Sequence, residues 1–145
     1  MIKNPKADIS IIIKEKHQMR EILFRGKSVK TKEWLYGSYI SKYYGNDYIF
    51  PQDPPCDSFH LEANFNYHVD PNTIGQYTGL TDKNGTKIFE GDIVRPDDWD
   101  AAPVVWDFSS WWLEYPEGYE VLADIPDAVV VGNVHDNPEL LEVTK

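Results

Sequence analysis

Few residues of this chain are able to do chemistry. Histidine and carboxylate come together twice, at His60, His68 and Asp70 and again at His135 and Asp136. Imidazole beside carboxylate is the material of metal sites and of general acid–base pairs. The spacing of eight between His60 and His68 fits no short chelating motif, and His135-Asp136 has no diagnostic spacing either. Structural or surface duties are the stronger reading for both groups. The single cysteine, Cys56, lies in "PQDPPCDSFH". Neighbouring acids disfavour a thiolate, so it reads as a loop cysteine rather than a nucleophile, and it leaves no intrachain disulfide to form.

The stretch "GQYTGLTDKNGTKIFEGDIVR", 75–95, invites two ligand readings. A phosphate loop needs Gly, four residues, then Gly-Lys-Ser/Thr before a helix. Here Gly79 and Gly85 enclose "LTDKN", Thr86-Lys87 follow in the reverse order, and no helical pattern comes next. A calcium loop needs oxygen ligands at alternate positions, glycine at the sixth and a closing Glu. Asp82, Asn84 and Thr86 alternate correctly, but Gly85 falls between the third and fifth positions. The stronger reading is backbone reversal. "DKNG" is a hairpin signal in which Asn84 and Gly85 accept the positive φ of a type I′ turn, and Glu90-Gly91-Asp92 is a second bend. Gly79, Asp82, Asn84, Gly85, Gly91 and Asp92 are therefore assigned to turns. No catalytic residue, metal site or cofactor is assigned.

A third candidate is a surface. "PDDWDAAP" is an acidic loop carrying Trp99, and "VVWDF" and "WWLEYPEGYEVL" read as strands with a hairpin at Pro116 to Gly118. Side chains alternate across a strand, so these aromatics cannot all point inward. Large aromatics beside acids mark a binding patch, here Trp99, Trp111 and Trp112 with Asp97 and Asp98. The competing reading is that the rings cover the open end of a small barrel.

The elements that position these residues are mostly strands. "EILFRG", "EWLYGSYI", "YYGNDYIF", "TIGQYTGL", "TKIFEG", "DIVR" and "AVVVGNV" are short, aromatic or β-branched, and bounded by Gly, Pro, Asn and Asp. "DNPELLEV" reads as a short C-terminal helix with Asn137 as N-cap and Pro138 in its first turn. The fold expected is mainly β or α+β: an antiparallel, partly closed, SH3-like barrel with that helix and an N-terminal arm or helix. Leu, Ile, Val and Phe number 37 of 145 residues, enough for the core of a single domain. Residues 1–18 differ in style and read as an N-terminal extension to a domain spanning 19–145. Lys14-Glu15 can be encoded by a ribosome-binding sequence, so translation from Met19 is an alternative to Met1, which would place 1–18 outside the native product.

Charge narrows the partners. Net charge is −10; residues 1–50 hold ten Lys/Arg against five Asp/Glu, and residues 51–145 hold four against nineteen. The acidic part repels a phosphate backbone. Lys27, Lys30, Lys32 and Lys42 around Trp34 and Tyr36 offer the one basic patch for nucleic acid, but they are interleaved with strand residues, and a solvated face is the commoner meaning. No apolar run approaches the length of a membrane span, and the apolar residues near Ser10–Ile13 are too few for a signal peptide. A cytoplasmic location is expected.

Three blocks carry a family resemblance. "MREILFRGKSVKTKEWLYGSYI" (19–40), "TIGQYTGLTDKNGTKIFEGDIVR" (73–95) and "VVVGNVHDNPELLEV" (129–143) resemble, in order and spacing, the opening, central and closing signatures of the YopX family of phage and prophage proteins. Stretches 45–72 and 96–128 follow no such pattern. The resemblance implies a phage or prophage origin, and hence the cytoplasm of a bacterial host cell, and it implies no known activity or cofactor. The function expected is a non-enzymatic binding or adaptor protein whose acidic-aromatic surface meets a basic host or phage protein, in its strongest form by imitating DNA. A nucleotide- or nucleic-acid-processing enzyme using the histidines, and a nucleic-acid binder using the basic N-terminal third, are the alternatives. Exposed aromatics and strand edges also admit a homo-oligomer.

Overall fold

The structure, a computed structural model, describes residues 9, 19–52 and 66–142. Apart from Ile9, the N-terminal extension lies outside the described residues, as do Cys56 and His60. Among the described residues ten strands run in chain order: β1 (Phe24–Lys27), β2 (Trp34–Tyr43), β3 (Asn46–Phe50), β4 (Gly75–Thr81), β5 (Lys87–Phe89), β6 (Asp92–Arg95), β7 (Ala102–Asp107), β8 (Ser110–Tyr115), β9 (Gly118–Val121) and β10 (Val129–Asn133). They form two five-stranded antiparallel sheets, ordered β3-β2-β1-β4-β5 and β10-β6-β7-β8-β9. The β-rich antiparallel class follows from the alternation in the sequence. The sheets do not close into a barrel. They are joined through the tight β5–β6 turn, whose first strand edges one sheet while its second lies inside the other.

The main core is made by the alternate residues that face between these layers. Ile88, Val94, Val104 and Leu113 are buried together with Leu122 and Ala128. A smaller cluster of Leu23, Tyr77 and Phe89 sits beside it. Ile49 and Val69 are fully buried under β1, where a Cβ on Gly26 would touch both. Gly37 is required by close approach: a Cβ there would overlap the Phe50 carbonyl on β3.

The "DKNG" turn differs from expectation in detail. Gly85 N–H donates to the Asp82 carbonyl at 3.0 Å, so Lys83 and Asn84 are its central residues. Only Gly85 has positive φ, at 83°; Asn84 does not, so this is not the type I′ turn the dipeptide suggested. The reason is Asp82, whose carboxylate takes the N–H groups of both Asn84 and Thr86 and fixes the loop one residue earlier. At the other end of the chain, the expected C-terminal helix is a single 3-10 turn, Pro138–Leu141. Asn137 does not cap it; its side chain instead accepts the Asn133 N–H at 3.3 Å and packs where a Cβ on Gly132 would stand.

Candidate functional site

Two regions gather polar side chains, and they are built differently. The first lies between the sheets. Arg25 on β1 and Asp92 on β6 form an ion pair, Nη1 to Oδ1 at 2.7 Å, with only 5% and 2% of their surfaces exposed. The Arg25 guanidinium carbon lies 4.8 Å from the Trp34 ring centroid and 5.1 Å from that of Phe89. The other Asp92 oxygen accepts the Phe89 N–H at 2.8 Å and so also shapes the Glu90-Gly91 bend. Gly91 takes φ 85° there, with the His135 ring and Arg25 just beyond where a Cβ would sit. Burial pushes the Asp92 carboxyl pKa up; Arg25 and the Phe89 N–H pull it down without cancelling that.

Asp136 completes this region. It accepts Lys27 Nζ at 2.6 Å, the Trp34 indole N–H at 2.7 Å and an Asn133 amide N–H at 3.2 Å. The Lys27 and Trp34 hydrogen bonds hold its pKa at about 2 against the opposing effect of burial. His135 packs against Trp34, and burial followed by the Arg25 charge lowers its pKa, which favours neutral imidazole. A cleft of about 470 Å³ opens beside the pair, lined by Leu23, Tyr36, Phe89 and Val130 among others. His68 is elsewhere, against Tyr48. No group of three or more His, Cys, Asp or Glu among the described residues is placed to hold a metal. The arrangement fits an electrostatic fastener: its acids are already taken by cations and N–H groups. Lys27, part of the basic patch considered for nucleic acid, is likewise committed to Asp136.

Asp82 is the second fastener. Its Oδ1 serves Asn84 and Thr86, each at 2.9 Å, and its Oδ2 accepts the Val130 N–H of β10 at 3.0 Å. Burial alone would raise its pKa, but the three N–H donors, with Lys83 nearby, outweigh it and lower it. The hairpin signal in the sequence thus also ties one sheet to the other.

The second region is a surface groove of about 500 Å³ where the loop after β6 meets the β8–β9 hairpin. Four carboxylates line it, from Asp98, Asp100, Glu117 and Glu120, with the rings of Trp99, Tyr115 and Tyr119 and without any lysine or arginine. Trp99 stands edge-on to Tyr115 at 6.0 Å and is 49% exposed. Burial, then Asp100 and Glu120, raise the Tyr115 pKa, as expected in a field of unneutralised negative charge.

The five residues singled out for binding do not share one face. Asp98 and Trp99 line the groove. Asp97 lies outside it and pairs with Lys83 at 3.0 Å. Trp111 stands opposite Trp106 on the core-facing side of β8 and packs against the main core. Trp112, one residue on, must point to the opposite side, where it meets Phe108 and Tyr119. Sequence reading passed over Arg25 as part of an apolar strand, and over Asp92 as more than a turn residue. The available signal was one cation and one anion, each embedded in a run of otherwise buried residues.

The structure is similar to the crystal structure of protein EF1440 from Enterococcus faecalis, at 25% sequence identity and a TM-score of 0.54, over 86% of this chain and 100% of that one. No curated protein matches the chain. The YopX protein family model matches residues 23–142, a span holding the Arg25 cluster and the acidic groove, and the chain therefore belongs to that family.

Proposed function

We propose that this chain is a phage- or prophage-encoded, non-enzymatic binding protein that takes a basic segment of a host or phage protein in the groove between the loop after β6 and the β8–β9 hairpin. One observation carries the reading: four carboxylates and the rings of Trp99 and Tyr115 converge there, bordered by Tyr119, with no cation among them. Carboxylates supply attraction for Lys or Arg, and ring faces supply cation–π contact for the same groups. Elsewhere the protein's clustered acids are satisfied internally, as at Asp82, Asp92 and Asp136; in the groove they are left to solvent. Trp99 and Asp98 are the residues carried forward from the sequence. Trp111, being packed on the core, serves structure.

The experiment is affinity capture from host lysate with the full chain and two variants. Trp99→Ala with Glu117→Gln and Glu120→Gln should lose a basic partner by tenfold or more, and added salt should weaken what remains. Tyr44→Ala, at the exposed turn between β2 and β3 in the other sheet, is the control. Retention of every partner by the groove variant overturns the reading. Competition by duplex DNA for the same partner would support imitation of DNA by this surface.

A further inference from the structure

β9 ends its sheet: among the described residues no strand pairs with its far edge. A strand paired on one side only turns alternate N–H and C=O groups outward, which is a template for a further strand. Natural edges are commonly blunted by proline, a bulge, charge or very short length. β9, "GYEV", is short at four residues but has no proline, bulge or lysine, and its one charge, Glu120, is anionic.

The two sides of this edge differ chemically. Glu120 stands opposite Leu113, so it faces the side that holds Tyr115 and the groove with Trp99. Tyr119 stands opposite Glu114 and Val121 opposite Trp112, on the reverse side, so Tyr119 borders the groove only along the strand edge. There Tyr119 meets Phe108 and Trp112, each at 6.2 Å, forming an aromatic face. Phe108 is 72% exposed and lies at a hairpin tip where both it and Ser109 have positive φ. An edge with acids on one side and rings on the other selects a strand with the complementary alternation.

We propose that β9 accepts an extended partner segment as an eleventh strand, with cationic residues alternating with apolar ones. Its cations lie over Glu120 and the groove, and its apolar side chains extend the Tyr119–Phe108–Trp112 face. Main-chain hydrogen bonds hold the segment, and the alternation supplies specificity. This rests on the basic-partner reading of the groove and adds to it the partner's conformation and pattern. A second copy of this chain is the poorer occupant: pairing β9 with itself would oppose Glu120 to like charge between molecules of net charge −10.

The test uses the full chain and dye-labelled peptides followed by fluorescence anisotropy. A short peptide alternating arginine and valine should bind at least tenfold tighter than its block isomer, in which all arginines precede all valines. Methylating its backbone amides, which leaves its charge, should remove that advantage. If block and methylated peptides bind as well as the alternating one, strand addition is overturned while the basic-partner reading stands. If no arginine peptide binds, both fall. A dimer in equilibrium sedimentation that the alternating peptide cannot dissociate assigns the edge to a second copy and also overturns the proposal.

Discussion

Asp136 shows how a residue singled out for chemistry is explained by its partners. In sequence it stands beside His135 and looks like half of a catalytic pair. In the fold its oxygens are held by Lys27 and Trp34, 109 and 102 residues away. No local spacing encodes those partners; only the pairing of strands brings them together. The consequence is a pH dependence of definite sign. The Asp136 pKa falls from 3.8 to about 2 on folding. Its contribution to stability is therefore fully present above about pH 4 and is lost as pH falls towards 2. Asp136→Asn should flatten the fall in thermal midpoint over that window, measured by circular dichroism across a pH series. An acid limb of unchanged slope would show that the Lys27 and Trp34 contacts do not hold in solution.

At the scale of elements, the strands were legible because their side chains alternate and their ends carry Gly, Pro or Asn. The turn after β7 was not. Phe108 and Ser109 carry none of the composition that a two-residue hairpin usually shows, yet they form one, with φ of 47° and 58°. Trp106 opposite Trp111 and Asp107 opposite Ser110 fix the register that forces the tight loop. Positive φ at a bulky residue is strained, on the order of 1 kcal/mol or more. Replacing the pair by Phe108→Asn with Ser109→Gly should stabilise the protein by about 1–2 kcal/mol in denaturant unfolding, because little Phe108 packing is lost at so exposed a site. The same substitution should weaken the alternating peptide, since it strips the aromatic face. Together these opposite signs would mark the strain as retained for binding; a destabilised variant would instead make Phe108 a packing residue.

At the scale of the molecule, the three blocks that resemble the family were legible as text, but their joint purpose was not. β1 brings Arg25, the β5–β6 turn and its flanking strands bring Phe89 and Asp92, and the segment after β10 brings His135 and Asp136. Each block reads separately as strand or turn, and only the packed sheets reveal one polar fastener made from all three. A buried ion pair is costly to break from one side because the remaining charge has no water. Arg25→Met alone should therefore cost about 3–5 kcal/mol, leaving Asp92 with the Phe89 N–H as its remaining partner. Adding Asp92→Asn should recover much of that loss, since the neutral amide needs no counter-charge and its oxygen still accepts the Phe89 N–H. Urea unfolding of wild type, both single variants and the double variant measures the coupling directly. Additive costs would mean that the two charges act independently and that the sheets are joined by their apolar core and Asp82 instead.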